Sequence, residues 1–284
     1  MSRIIAVANQ KGGVGKTTTS INLAASLAST RRRTLLIDMD AQGNATMGLG
    51  VDKAALERTG CDMLLDEVAF ADVVIDLDDL GLSLLPGNGD MTAAEVQLRG
   101  QRDGESALRR ALAQARDGYD YIVIDCPPAL SMLTINALAA ADGVLIPMQC
   151  EYYALEGLSA LLDTLDTVRS LINPDLAMTG LLRTMYDPRN RLSCDVSAQL
   201  LEHFHGQVFR TIIPRNVRLA EAPSYGLPAY KYDPGSRGAQ AYLALAGEML
   251  RRDGETPDGL GGRAAAAAAD GGSVSLATRL RQSG

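Results

Sequence analysis

The stretch NQKGGVGKTTTSINLAASLA, residues 9–28, is the most informative part of the chain. It is a glycine-rich loop that leads into a helix, and the short apolar run RIIAVA comes immediately before it. In the pattern G-x-x-x-x-G-K-[ST], glycines let backbone N–H groups close around phosphate oxygens, the Lys reaches the β and γ phosphates and the hydroxyl holds Mg²⁺. Gly15, Lys16 and Thr17 fill the last three positions, whereas Gln10 replaces the opening glycine. This strand, loop and helix predict a nucleotide site.

The predicted contacts with the nucleotide lie in the loop and the first helical turn. They are Lys11, Gly12, Gly13, Val14, Gly15, Lys16, Thr17 and Thr18. We expect the N–H and hydroxyl of Thr18 to contact the α phosphate at the helix N-terminus. The hydroxyl of Thr17 is expected to bind Mg²⁺ directly. ATP and Mg²⁺ are therefore the predicted cofactors.

Lys11 is a second lysine in a loop that ordinarily needs one. It can be a solvated loop charge without a specific role. Alternatively, it can supply an ammonium to the nucleotide of a partner subunit, as a residue supplied in trans does in phosphoryl transfer. This second interpretation requires a face-to-face dimer with nucleotide between the subunits.

Short apolar runs alternate with longer segments of helical spacing along the chain. The apolar runs are residues 3–8, 33–38, 82–87, 119–125, 143–148, 177–182 and 207–214. The predicted helices are 17–28, 105–116, 155–172 and 194–204. Continuously apolar runs are typical of parallel strands that are covered on both faces. The pattern predicts an α/β, P-loop NTPase-like fold: a mostly parallel, twisted sheet with helices on both faces and ligands at the carboxyl ends of the strands.

Length and composition indicate one globular domain and a tail. Of the 284 residues, 46% are hydrophobic and 21% charged, which is enough to bury one substantial core. We assign residues 1–252 to the domain and 253–284, rich in Gly, Ala, Asp and Ser, to a mostly disordered tail. No apolar run has the roughly 18 to 20 residues that a membrane span needs, and no cleavable signal precedes residue 4. These features predict a cytoplasmic protein.

Charge and cysteine content exclude other classes. A net charge of -7 argues against a protein that coats nucleic acid through its bulk charge, so any such binding needs a local patch. The four cysteines, Cys61, Cys126, Cys150 and Cys194, form no C-x-x-C pair, and the chain has only two histidines. Neither a zinc site nor a disulfide framework is indicated.

Three aspartates follow apolar runs at the predicted ligand edge. Asp38 and Asp40 lie two residues apart, so in extended geometry both project the same way. A carboxylate there can position a water for attack on the γ phosphorus, join the Mg²⁺ shell, or merely cap the end of the strand. Asp125 ends the run YIVID and is expected to hold Mg²⁺ through water.

Four motifs together resemble one family. KGGVGKTT, LLIDMDAQGNAT and YIVIDCPP resemble the deviant Walker A ATPases of the MinD/ParA superfamily, and IPRNVRLAEAPSYGLP narrows the resemblance to the ParA/Soj chromosome-partitioning proteins. It runs from Ser2 to about Arg252. It implies that Lys11 crosses an ATP-sandwich homodimer to the other subunit's phosphates. It also assigns the attacking water to Asp40 and leaves Asp38 as a supporting group, so that Lys11, Lys16 and Asp40 are the catalytic residues.

The resemblance also implies contacts with the base, with DNA and with a partner protein. It places the adenine contacts at Pro214, Arg215 and Asn216. Six arginines fall between residues 183 and 218, namely Arg183, Arg189, Arg191, Arg210, Arg215 and Arg218. In Soj-like proteins nonspecific binding of double-stranded DNA depends on surface arginines, and Arg189 and Arg218 occupy matching positions. A ParB/Spo0J-type protein is the implied trigger of hydrolysis and release from the nucleoid.

Two rival classes share the phosphate loop. A MinD-like ATPase positions itself on the membrane through a C-terminal amphipathic helix, but the tail here has only Leu276 and Leu280 as large apolar residues near its end. We therefore expect no membrane binding. A nitrogenase-iron-protein-like chain would hold an iron–sulfur cluster through paired cysteines, and Cys126 and Cys150 lack that context. The cargo, chromosome or plasmid, is left open by the sequence.

Overall fold

Strands form where the sequence is continuously apolar. The computed structural model describes residues 2–152 and 154–254. Its strands are β1 Arg3–Val7, β2 Thr34–Asp38, β3 Ile75–Leu77, β4 Leu82–Leu85, β5 Tyr121–Asp125, β6 Gly143–Gln149, β7 Ala177–Tyr186 and β8 Val208–Pro214. Each of the seven predicted apolar runs coincides with a strand, although β6 and β7 extend beyond their predicted ends to Gln149 and Tyr186. β3 was not predicted, because it has three residues and none of them is fully buried.

The described strands form one sheet in the order β3-β4-β2-β5-β1-β6-β7-β8. Every pair is parallel except β3 with β4, which is antiparallel and places β3 at one edge. The prediction of a mostly parallel α/β sheet is confirmed. Because β1 lies between β5 and β6, the loop that follows β1 opens at the carboxyl edge beside the ends of both neighbours.

Helices cover both faces of this sheet. They are α1 Lys16–Ser29, α2 Asn44–Gly48, α3 Gly60–Leu64, α4 Met91–Gly100, α5 Ala107–Ala115, α6 Met132–Ala140, α7 Ala154–Leu171, α8 Arg191–His203, α9 Val217–Glu221, α10 Ala229–Tyr232 and α11 Arg237–Gly254. The four predicted helices correspond to α1, α5, α7 and α8. α6 was missed because it is apolar on almost all sides, so its sequence shows no helical period.

Side chains alternate between the two cores along each strand. In β1, Ile5 and Val7 pack in the same core as Leu23 of α1 and Tyr242 of α11. Ile4 and Ala6 face the other core, which α3 to α8 cover. Because side chains of a strand alternate between its two faces, a continuously apolar strand supplies side chains to both cores.

The last helix extends beyond the predicted end of the domain. α11 ends at Gly254, and Asp253 accepts a 2.6 Å hydrogen bond from the Tyr121 hydroxyl and lies 3.7 Å from Arg3 Nε. Two residues assigned to the tail are therefore helical. The remainder of the predicted tail, 255–284, lies outside the described residues, and its disorder stays a prediction. Among the described helices, none is long and apolar enough to cross a membrane.

Two glycines bring distant loops into backbone contact. Gly50 follows α2, and Gly226 lies between α9 and α10 with a φ of 65°. A Cβ on Gly226 would lie 2.5 Å from Gly50 Cα and 2.9 Å from Gly50 N. No larger residue fits there without displacing main chain.

The register of the sheet buries two carboxylates side by side. Asp38 ends β2 directly opposite Asp125 at the end of β5, and both are fully buried. Burial raises the pKa of both carboxyls, and the charge of Asp38 raises the pKa of Asp125 further. Because the folded protein holds these protons more tightly than the unfolded chain, their contribution to stability is full below the ordinary carboxyl pKa. It is lost as the pH rises through the raised values.

We expect Asp125→Asn to flatten the pH dependence of stability in nucleotide-free and metal-free buffer. Each proton held only by the folded protein lowers the free energy of unfolding by up to about 1.4 kcal/mol per pH unit as the pH rises. Asn mimics the protonated carboxyl, so the variant should lose less stability than wild type between about pH 5 and about pH 8. Urea unfolding at several pH values measures this difference.

Asp120→Asn is the matched control. The Asp120 carboxylate bonds Arg33 at the surface, which lowers its pKa, so it is ionised in both states over this range and its removal should leave the slope unchanged. Parallel wild-type and Asp125→Asn curves would contradict the prediction.

Candidate nucleotide site

The phosphate loop leaves the sheet after β1 and ends at the first turn of α1. Gly13 and Gly15 have φ values of 73° and 88°, a left-handed conformation that favours glycine. Residues 10–13 are exposed, whereas the Val14 side chain is 1% exposed and anchors the loop in the core. Gly15 precedes α1, and its carbonyl accepts from Thr19 N, so the loop amides lie at a helix N-terminus.

Lys16 is buried inside this loop. Its Nζ donates to the carbonyl oxygen of Lys11 at 3.1 Å. Burial lowers the pKa of Lys16, and the nearby carboxyl groups of Asp125 and Asp40 act in the opposite direction. The ammonium therefore lies close to the carboxylates at the sheet edge, where it can bind a phosphate.

The residues around Asp125 fit a magnesium ion. Ser20 Oγ donates to Asp125 Oδ1 at 2.8 Å, while Oδ2 is buried and accepts no hydrogen bond from any described residue. A buried carboxylate oxygen of this kind needs a cation or an ordered water. Thr17 is half-buried in the first turn of α1, and its hydroxyl opposes the upward pKa shift of Asp125. Hydroxyl and carboxylate oxygens are ligands that Mg²⁺ prefers.

Asp38 and Asp40 have different surroundings. Asp38 Oδ2 accepts from both Thr46 N and Thr46 Oγ1 at 2.8 Å, and its Oδ1 accepts from Asp40 N at 3.2 Å. Thr46 Oγ1 in turn accepts from Gly87 N at 3.0 Å. Asp38 thus fixes the loop that carries Asp40. Asp40 itself is 9% exposed and engages Gln42 N through Oδ1.

Lys11 occupies the exposed rim of the site. Its N–H donates to Asn9 Oδ1 at 2.9 Å, and its Nζ lies 2.6 Å from Glu151 Oε2, just beyond β6. The two side chains are 42% and 51% exposed. The two lysines of the loop therefore lie in different environments, Lys16 in the interior and Lys11 at the surface.

The predicted adenine segment lies at the carboxyl ends of β7 and β8. Pro214 ends β8 opposite Tyr186, and Arg215 N donates to Tyr186 O at 3.4 Å. Asn216 Oδ1 accepts from Arg218 N at 3.0 Å and caps α9. A contact between Asn216 and the base could then use its Nδ2 amide or the second lone pair of Oδ1.

The arginine cluster is smaller than the sequence suggested. Arg183 is 5% exposed and donates to Ser197 Oγ and to the carbonyl of Phe209, so it joins β7, α8 and β8 and does not belong to a surface patch. Arg189 is 90% exposed beside Asp187. Arg218 is 46% exposed and pairs with Glu221 at 2.7 Å and Asp233 at 3.2 Å.

Four residues that the sequence patterns did not indicate contact the predicted site residues. They are Ser20, Thr46, Glu151 and Thr184. Ser20 follows Thr17 by one helical turn, which is a signal that the sequence carried. Glu151 and Thr184 reach the loop from 140 and 170 residues away, and no local pattern marks them.

The chain is similar to known proteins over most of its length. The model of the family described as AAA domain matches residues 2–178. The chromosome partitioning protein ParA of Myxococcus xanthus is 52% identical over 253 residues, 89% of each chain. The sporulation initiation inhibitor protein Soj of Bacillus subtilis is 51% identical over 249 residues, 88% of this chain and 98% of Soj.

A solved structure has the same fold. Cobyrinic acid a,c-diamide synthase from Mycobacterium smegmatis, with bound ATP analog and magnesium, superposes with a TM-score of 0.79 at 38% identity, covering 90% of this chain and 97% of that one. Sequence identity to the two partitioning proteins is higher. The chain belongs to the AAA domain family and, within it, to the ParA/Soj family of chromosome-partitioning ATPases.

Proposed function

We propose that this protein is a DNA-partitioning ATPase whose ATP-sandwich homodimer binds double-stranded DNA without sequence preference. A ParB/Spo0J-type protein stimulates hydrolysis and release, and the protein acts in the cytoplasm on the nucleoid to segregate a chromosome or plasmid. The observation that carries the proposal is the different placement of the two lysines, Lys16 buried and Lys11 at the rim.

Lys11 is suited to act on another subunit. The buried Lys16 ammonium would bind the phosphates of the nucleotide in its own loop. Lys11, at the exposed rim, is then free to bind the phosphates of a nucleotide that a second subunit holds. Its ion pair with Glu151 is an obstacle of only about 0 to 1 kcal/mol, because both side chains are substantially exposed. Lys11 can exchange Glu151 for a partner's phosphate at small cost.

Hydrolysis requires positioning and charge. Thr17 and Asp125 would hold Mg²⁺, which neutralises charge on the phosphates when bound. Asp40 would orient the attacking water, and the hydrogen bond from its N–H to Asp38 fixes its loop. Lys16 would stabilise the phosphate oxygens from the interior.

DNA binding would depend on a local patch that dimerisation doubles. Arg189 is almost fully exposed, and Arg218 lies on α9 directly after the adenine segment. Both arginines have carboxylate neighbours, Asp187 for Arg189, and Glu221 and Asp233 for Arg218. Each subunit would then contribute a weak, salt-sensitive contact, and two clamped subunits would bind more tightly than either alone.

DNA retention with ATP, with ADP and without nucleotide tests the proposal, with anionic liposomes as a parallel arm. We expect the protein to be retained on DNA with ATP, but not with ADP or without nucleotide. We expect no retention on liposomes under any of these conditions. Binding to liposomes without DNA retention would instead indicate a MinD-like positioning ATPase.

Lys11→Ala should leave ATP affinity within a few fold of wild type but abolish ATP-dependent dimerisation and hydrolysis. The reason is that its proposed target belongs to the other subunit. Arg102→Ala, which removes an exposed positive charge elsewhere, should dimerise normally. Sedimentation with ATP and a phosphate-release assay provide the two measurements. A Lys11→Ala protein that dimerises and hydrolyses ATP like wild type would exclude the role in trans.

Asp40→Ala should bind MgATP but hydrolyse it at least about 100-fold more slowly, since it loses the group that orients water. The dimer should then remain on DNA after ATP is washed out and resist release by the partner protein. The dissociation rate from immobilised DNA measures this effect, with Asp79→Ala as a surface carboxylate control. Release as fast as wild type would show that hydrolysis at this site does not control DNA binding.

Arg189→Ala combined with Arg218→Ala should weaken DNA binding while the ATP dimer stays intact. Each phosphate contact contributes about 0.9 to the slope of log affinity against log salt, so loss of two contacts per subunit should flatten the slope by roughly 3 to 4. Arg99→Ala with Arg102→Ala is the charge-matched control. If the double variant keeps the wild-type slope, DNA binds elsewhere.

A further inference from the structure

Thr184 contacts the phosphate loop from β7, which lies two strands from β1 in the sheet. It lies near the end of β7 and is 2% exposed, and its Oγ1 donates to the carbonyl oxygen of Val14 at 2.8 Å. The two residues are 170 positions apart in sequence. This hydrogen bond is entirely buried.

The bond fixes the orientation of one peptide plane in the loop. In a planar trans peptide the C=O and the following N–H point in opposite directions. The carbonyl of Val14 and the N–H of Gly15 belong to the same plane. When Thr184 holds the carbonyl, it therefore directs the Gly15 N–H to the opposite side of the plane, away from Thr184.

The backbone after Thr184 is strained. Met185 has a φ of 48°, a left-handed conformation that a residue with a side chain rarely adopts. Its Sδ accepts from Gln149 Nε2 of β6, and its Cε lies 3.9 Å from the position of a Cβ on Gly15. The pairing of β7 with β8 also shifts register between Arg183 and Tyr186, so β7 is irregular where it lies beside the loop.

We propose that Thr184 is a positioning residue for the phosphate loop, acting through the Val14–Gly15 peptide to aim the Gly15 N–H at the phosphates. The inference rests on the proposed nucleotide site. Since this N–H would contact phosphate in the ground state and the transition state alike, its misplacement should raise KM and leave kcat nearly unchanged.

Thr184→Val tests the role with almost no change in volume. The variant leaves the Val14 carbonyl buried and unpaired, so the Kd for ADP and the KM for ATP should rise about 5- to 100-fold, with kcat within about twofold. Thr184→Ser should restore the wild-type values. Calorimetry with ADP, steady-state kinetics and urea unfolding give the three measurements.

Thr179→Val is a matched control on the same strand. The Thr179 hydroxyl is also buried but has no hydrogen-bond partner among the described residues, so its removal should leave Kd and KM unchanged. If Thr184→Val is destabilised but its Kd and KM match those of Thr179→Val, Thr184 is merely structural and the inference is wrong. A fall in kcat at constant KM would likewise indicate a loss of folded enzyme.

Two further outcomes separate the inference from its premise. Failure of the wild-type protein to bind ADP would contradict the nucleotide site itself, whatever Thr184 does. If Thr184→Val does not fold, Thr184→Cys replaces it, because the thiol is a weak donor of similar size. Its ADP affinity should then fall well below that of Thr184→Ser, and equal affinities would overturn the inference.

Discussion

The burial of Asp38 beside Asp125 is the constraint on which the site depends. Parallel pairing of β2 with β5 puts both carboxylates at one sheet edge without access to water. Negative charge in such a place must be protonated, hydrogen-bonded or paired with a cation. Asp38 is satisfied by Thr46, while Asp125 keeps one oxygen that Ser20 does not reach. The unsatisfied oxygen and the buried Lys16 are the two features of this edge on which the proposed metal–phosphate site rests.

The chain surrounds that edge with segments from distant parts of the sequence. The phosphate loop follows β1, and the Asp40 loop follows β2. Thr184 lies near the end of β7, and Glu151 lies just beyond β6. Their contacts differ in strength. The bond from Thr184 is buried, whereas the ion pair of Glu151 is exposed and easily exchanged. The fold thus holds the phosphate side of the loop rigidly and leaves its rim adjustable.

Sequence patterns predicted the parts of the fold that repeat a local rule. Strands buried on both faces are apolar throughout, so seven of them were found, whereas β3 is too short and too exposed to be distinctive. The loop glycines and Lys16 carry a fixed spacing and were placed without the structure. Arg183 carries a charge and would ordinarily be expected at the surface, yet the packing of β7 against α8 buries it. Thr184 could not be found, because its role arises from a contact that only the folded sheet creates.

The contact between Gly50 and Gly226 leaves no side chain between two loops. Most neighbouring segments are separated by side chains that absorb small shifts by changing rotamer, but here main chain meets main chain. Because a Cβ on Gly226 would lie only 2.5 Å from Gly50 Cα, a movement of Gly50 toward Gly226 displaces the segment between α9 and α10. α9, which carries Arg218, directly precedes that segment. The direct backbone contact of the two glycines therefore couples the positions of the two segments, and this coupling does not depend on side chains.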